Sequence, residues 1–172
     1  FTEPSTNARQ RRLTATIHSG ANSGYFIDIF RSERADGQDK KHEYLFHSQG
    51  EPLWLSDSQG QLLMTFPTDE LSSSKGDLVG YDYFTEKQEI AFDENFIAHF
   101  SMPAHDNRQV GVKLWMRGYP DRTLFSVQAP PSRAQRQGSI PKSLHNLPLP
   151  TLVVRQSGEA RTRPFVSVIE AF

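Results

Sequence analysis

The chain has no cysteine among its 172 residues. That excludes a disulfide framework and any thiolate-held metal, and it leaves the redox compartment undetermined. Long hydrophobic runs are missing as well. No stretch approaches the ~20 apolar residues that a membrane-crossing helix requires, and the opening "FTEPSTNARQ" lacks the charged-then-apolar pattern of a signal peptide. A soluble domain with no membrane partner is expected. Because the first residue is Phe1 rather than Met, a processed protein, a cloned domain or a fragment is expected, and any targeting segment could have been removed. Nor is there an excess of one charge: Lys+Arg number 19 and Asp+Glu 20, for a formal charge of −1. The basic residues are scattered, which argues against nucleic acid as a partner. The one local basic run, "RQRR" at Arg9 to Arg12, reads as a solvated N-terminal segment rather than a polyanion site. The nucleophile-elbow, P-loop and dinucleotide-binding motifs are all absent.

What is present is a succession of short runs of alternating apolar and polar residues, punctuated by Gly, Pro and polar turns. This pattern predicts an all-β antiparallel sandwich of about ten strands with little or no helix, formed by residues 1–172 as one domain. "RLTATIHS" and "GYFIDIFRS" flank the turn "GANSG" and predict a hairpin. "HEYLFHS", "PLWLSD" and "QLLMTFP" follow. The polar "TDELSSSKGD" predicts a surface loop, and "PSRAQRQGSIPKSLHNLPLP" a mobile loop or lid. In "RQVGVKLWMRG", Val110, Val112, Leu114 and Met116 alternate cleanly. The mass of 19.5 kDa suffices for one substantial core.

Candidate chemistry centres on "HEYLFH", His42 to His47. On a strand, His42, Tyr44 and Phe46 share one side while Glu43, Leu45 and His47 share the other, so the two histidines point apart and make no metal pair. Asp28 lies between Phe26 and Phe30 on one side of its strand. Such a carboxylate is either a structural acid with a buried partner or a groove residue paired with His47 or with an Arg of a neighbouring strand. The structural role is the expectation adopted. His18, His99, His105 and His145 share no spacing. Trp54, Trp115, Tyr81, Tyr83 and Tyr119 could stack on sugar faces if exposed, although aromatics on alternating strands more often belong to a core; for Trp115 both readings stay open.

Read together, several segments resemble one family. "YFIDIFRSERADGQDKKHEYLFHSQG" is similar to the stretch of heparinase II/III-like polysaccharide lyases in which a strand bearing Asp and Arg leads through a loop to a His-x-Tyr-x-x-His run. "VKLWMRGYPDRTLFSVQAP" and "PTLVVRQSGEARTRPFVSVIEAF" resemble that family's later sandwich strands, in the same order. The resemblance runs from Tyr25 to the end and implies the later part of a C-terminal β-sandwich that follows an N-terminal helical toroid. It further implies an acidic polysaccharide as partner, β-elimination at a uronic acid in the complete enzyme, and a periplasmic or secreted bacterial protein. The candidate substrate contacts would be His42, Tyr44, His47 and Arg31. The family's principal catalytic Tyr and His reside in the toroid, and its metal-binding set precedes the matched region. No catalytic residue, metal site or cofactor therefore carries over to this chain, although a metal ion could belong to the complete enzyme, and the chain alone is expected to be inactive. The alternatives are a stand-alone carbohydrate-binding module and a purely structural domain with an apolar docking face.

Overall fold

In a computed structural model, which describes residues 2–3, 7–34, 36–37, 41–103, 109–132, 142 and 145–172, the chain is an all-β sandwich. One sheet has seven strands in the order β1 (Thr2–Glu3), β2 (Ala8–Gly20), β3 (Ser23–Arg34), β12 (Ala160–Ala171), β9 (Gln109–Met116), β8 (Phe96–Pro103) and β5 (Trp54–Asp57). The other has five, in the order β4 (Lys41–His47), β11 (Leu149–Ser157), β10 (Arg122–Ala129), β7 (Thr85–Ala91) and β6 (Phe66–Pro67). Every pairing between these strands is antiparallel. Among the described residues there is no α-helix, and 3-10 turns occur at Ser73–Lys75 and Val79–Tyr83.

The period-2 pattern builds the core directly. Leu114 and Met116 from β9, Ala98 and Phe100 from β8 and Phe165 from β12 meet Tyr44 of β4, Leu152 and Val154 of β11 and Leu124 of β10 between the sheets. Gly111 is needed because β9 runs tight against β8: a Cβ there would lie 2.1 Å from the Phe100 carbonyl oxygen. Arg122 is fully buried, donating to Gln156 Oε1 at 2.9 Å and to the carbonyls of Arg117 and Pro164, with its guanidinium 4.7 Å from the Phe165 ring centroid. Burial pushes its pKa down to about 10, so it remains charged at neutral pH.

Several sequence expectations need correction. The arginines of "RQRR" are exposed, as expected of a short charge run, but the run belongs to β2, which begins four residues earlier than "RLTATIHS" suggests. Of "QLLMTFP", only Phe66–Pro67 pairs as a strand, with Leu62 bridged singly to Ser56. "TDELSSSKGD" is more than a surface loop: Leu71 is fully buried, and together with Tyr81 it covers Phe125, Val127 and Val153 on the outer side of the five-stranded sheet. Arg155 fastens this cover. It pairs with Glu43, with Asp77 at 2.8 Å and with Glu70 at 3.5 Å, while Tyr81 O–H donates to Glu43 at 2.6 Å. Most of the Pro-rich interruption, residues 133–141, 143 and 144, lies outside the described residues, as does His105.

Candidate functional site

Nothing comparable covers the outer side of the seven-stranded sheet among the described residues. Register assigns its side chains: Leu13, Ile29 and Val166 form one cross-strand row, Ala15, Ile27, Val168, Trp115 and Ile97 the next. The face is a broad apolar strip, with Leu13 56% exposed and Trp115 39%. At the end of the strip nearer the start of β2 the chemistry changes to cationic.

There, Arg11 of β2 stands directly opposite Arg31 of β3, and Arg9 opposite Glu33. Arg9 and Arg11 are two residues apart on one strand and so share the outward face. Arg161, at the start of β12, completes the group, pairing with Glu33 at 3.0 Å, while Arg31 donates to the Arg161 carbonyl oxygen. Together they line a cleft of about 250 Å³ with Ser32 and Thr162. Four guanidinium groups against one carboxylate leave three positive charges in excess, in a chain whose formal charge is −1. Like charges directly opposite on adjacent strands are destabilising. The Arg11/Arg31 pair is therefore an unfavourable arrangement for folding alone, and it suits an anionic ligand whose carboxylate or sulfate accepts hydrogen bonds from both forks.

The other residues singled out from the sequence are not gathered at this cleft. Asp28 projects between the sheets and is 2% exposed. It accepts from Arg12 Nε at 2.8 Å, from Arg12 Nη2 at 2.5 Å and from Tyr44 O–H at 2.9 Å, and Tyr44 Oη also lies 3.2 Å from Ser167 Oγ. Burial is the main cause that pushes the Tyr44 phenol up to about 12. His42 is buried on the same side of β4 as Tyr44 and lines a concavity between the sheet margins with Arg34, Lys41 and Tyr81. His47 is exposed on the opposite side of β4. Arg31, Tyr44, His42 and His47 thus occupy distinct environments, and of the four only Arg31 lies in the cationic cleft.

Sequence reasoning passed over Arg9, Arg11 and Arg161 as ligand contacts. The signal was in "RQRR": read as a strand, it sends Arg9 and Arg11 to one side and Arg12 to the other, toward Asp28. Among the aromatics, Tyr81 is buried, Tyr83 is exposed, and Trp54 stacks on His99 with ring centroids 3.5 Å apart. His99 also lies 2.9 Å from Ser56 Oγ, and burial, with Lys113 nearby, holds its pKa below the usual histidine range. Among the described residues no group of three or more His, Cys, Asp or Glu is placed to hold a metal ion, and no helix is long and apolar enough to cross a membrane.

These features are those of a β-sandwich domain with a cationic outer cleft. The chain is similar to an endo-acting ulvan lyase of Formosa agariphila, with 29% identity over 180 residues, covering 95% of this chain but only 20% of that protein. The similarity relates the chain to a polysaccharide lyase, of which it spans about a fifth of the length. No family model matches the chain, and no solved structure does.

Proposed function

We propose that this chain is the β-sandwich part of a polysaccharide lyase and that it holds an acidic polysaccharide in the cleft of Arg9, Arg11, Arg31 and Arg161. The observation that carries the reading is the Arg11/Arg31 cross-strand pair, which sets two arginines directly opposite each other on an uncovered sheet face, both lining one cleft. The lyase relative supports a polysaccharide as the anion's source. In its finer form the proposal takes the complete enzyme to be heparinase II/III-like, bacterial and periplasmic or secreted. An N-terminal helical toroid would then supply the Tyr and His that carry out β-elimination, and the strand order that resembles that family from Tyr25 onward supports this form. Arg31 is the substrate contact retained from the sequence; no ligand role is assigned to His42, Tyr44 or His47.

The test is affinity electrophoresis of the chain through gels containing alginate, chondroitin sulfate, heparan sulfate or neutral dextran. Retardation is expected in at least one acidic gel and not in dextran, weakening with added salt because the contacts are exposed. Each exposed ion pair contributes roughly 0.2–1 kcal/mol, so Arg11→Ala/Arg31→Ala should weaken binding about tenfold. Equal retardation in dextran, or a double variant that binds like wild type, would overturn the reading. A second reading, a structural domain whose apolar sheet face packs on the rest of the enzyme, is favoured by the exposed Leu13 and Ile17; it predicts no retardation in any of the gels.

A further inference from the structure

A second concavity opens on the same sheet face, beyond Val166 and Val168. It encloses about 550 Å³ and is lined by Trp115, Arg117, Asn95 and Ser58. Trp115 lies between the inward-facing Leu114 and Met116 and so projects outward, where register sets it between Ile97 of β8 and Val168 of β12. Those neighbours are apolar, and the indole between them stays 39% exposed. The Arg117 guanidinium carbon is 5.0 Å from the Tyr119 ring centroid, so one face of that cation is occupied and its N–H groups are what it can offer a ligand. Asn95 Oδ1 accepts the Gly118 N–H at 2.9 Å, which leaves its NH2 as the donor for an incoming acceptor.

An open aromatic surface beside a guanidinium and an amide donor matches one kind of ligand unit. A sugar ring has an apolar C–H face for the indole, hydroxyl groups for the amide and, if it is a uronate or a sulfated residue, an anion for the arginine. We infer that the Trp115 groove is a second glycan subsite, which takes an anionic sugar unit of the same chain that occupies the arginine cleft. This inference rests on the reading of that cleft given above.

Continuity of the surface favours a single glycan over a protein partner. Arg117 pairs with Val166, Val166 with Ile29, and Arg31 follows Ile29 by two residues on the same side of β3. With strands ~4.8 Å apart and ~3.3 Å of rise per residue, Arg117 and Arg31 are separated by about 12 Å, and Trp115 and Arg31 by about 16 Å. Between them lie Val166 and Ile29, which offer apolar contact and no opposing charge. A glycan laid diagonally over β9, β12 and β3 meets cation, apolar ridge, cation and indole in turn. Only a ligand longer than about 16 Å reaches both ends.

The experiment is titration of the chain with alginate and with heparin hexasaccharides, followed by tryptophan emission and by calorimetry; the two probes distinguish a carboxylate from a sulfate as the preferred anion. The indole is surface-placed, so Trp115→Ala should fold, and Trp115→Phe provides a ring-conserving control. At least one hexasaccharide should shift the emission of wild type and of Trp54→Ala but not of Trp115→Ala. Affinity should fall about tenfold in Trp115→Ala and by less in Trp115→Phe. If wild type binds neither hexasaccharide and no acidic gel retards it, the arginine-cleft reading falls and this inference with it; retardation in an acidic gel without binding of either hexasaccharide overturns this inference alone. If wild type binds and Arg11→Ala/Arg31→Ala weakens binding while Trp115→Ala binds as wild type does, the second subsite alone is overturned. Emission unmoved at saturation would overturn it too, and would leave that part of the face to a protein partner.

Discussion

Replacing Asp28 with alanine removes three hydrogen bonds that meet on one buried carboxylate. The partners differ in what they lose. Arg12 comes from the adjacent strand of the same sheet and its side chain is 54% exposed, so a guanidinium freed by the loss of Asp28 can turn to water; for that half of the interaction roughly 0.2–1 kcal/mol is at stake. Tyr44 belongs to the opposite sheet and is buried, so its hydroxyl loses a charged acceptor and keeps only Ser167. A hydrogen bond to a charged group contributes roughly 1.5–3 kcal/mol. The expected loss for Asp28→Ala is therefore about 3 kcal/mol, at the low end of what breaking a fully buried ion pair costs. In a domain of this size that corresponds to a fall in Tm of about 6–12 °C. Urea and thermal unfolding of Asp28→Ala, Arg12→Ala, Tyr44→Phe and the two double variants measure the couplings. The Asp28/Tyr44 coupling should exceed the Asp28/Arg12 coupling. An Asp28→Ala variant melting at the wild-type temperature would refute the structural role, and an Asp28/Arg12 coupling larger than the Asp28/Tyr44 coupling would refute the claim that the inter-sheet bond dominates.

Three further outcomes are expected. Arg122→Ala strands Gln156 Oε1 and two carbonyls in the core and should lower unfolding free energy by about 3–5 kcal/mol, measured by urea titration; a loss below 1 kcal/mol would contradict the packing described. The Tyr44 phenol is held up at about 12 against an ordinary value of 10. The native state therefore keeps a proton that the unfolded state has released, and the stability contributed is intact below pH 10 and lost as pH rises toward 12. Unfolding free energy should fall there by up to about 1.4 kcal/mol per pH unit from this group, and Tyr44→Phe should flatten that slope while Tyr81, also pushed up by burial, contributes a residual slope. Arg155→Gln removes the cation shared by Glu43, Glu70 and Asp77, so amide exchange should quicken across Ser72–Tyr83 and leave β10 and β11 protected; unchanged exchange over that segment would show that Leu71 and Tyr81 hold it without the ion pairs.

The sheet character of the chain was legible because its clearest strands bury one side only. Val112, Leu114 and Met116 turn inward on β9 and Lys113 and Trp115 outward, and that alternation is visible in the letters. The segment 68–84 was not legible. Its polar Ser/Asp/Lys composition describes its outer surface, while its attachment depends on Leu71 and Tyr81 and on Arg155, which is far away in the chain and whose carboxylate partners no local pattern identifies. The cleft was half legible. Arg31 could be placed on an outward-facing strand position, but Arg161 joins it only through the β3/β12 pairing, across 130 residues of sequence. The basic run at the start of β2 is solvated, as short charge runs near a terminus usually are, but its strand pairing was not legible, because nothing local in "RQRR" shows that it pairs with β3 through to Arg34.

The register of that hairpin joins the core to the cleft. Along β2, Arg11 and Arg12 face opposite sides, and the pairing Thr14↔Asp28 with Arg12↔Phe30 sets Arg12 diagonally beside the carboxylate while Arg11 meets Arg31 outside. A slip of one residue would invert both faces: Arg11 would enter the inter-sheet space, Leu13 would follow it, and Arg12 would leave Asp28 without a cation. The apolar pattern resists such a slip only weakly here, because Leu13 and Ile17 are outward-facing and exposed and the inward positions Thr14 and Thr16 are polar. The short turn between Gly20 and Ser23 sets the register of the hairpin, and within the strands the charge pair Arg12–Asp28, fixed in turn by Tyr44 from the opposite sheet, favours it over its neighbours. The inward ion pair therefore does more than tie β2 to β3. By favouring the register in which Arg9 and Arg11 face outward, it supports them against their mutual repulsion with Arg31, so the stability of the core and the shape of the cationic cleft both draw on the same carboxylate.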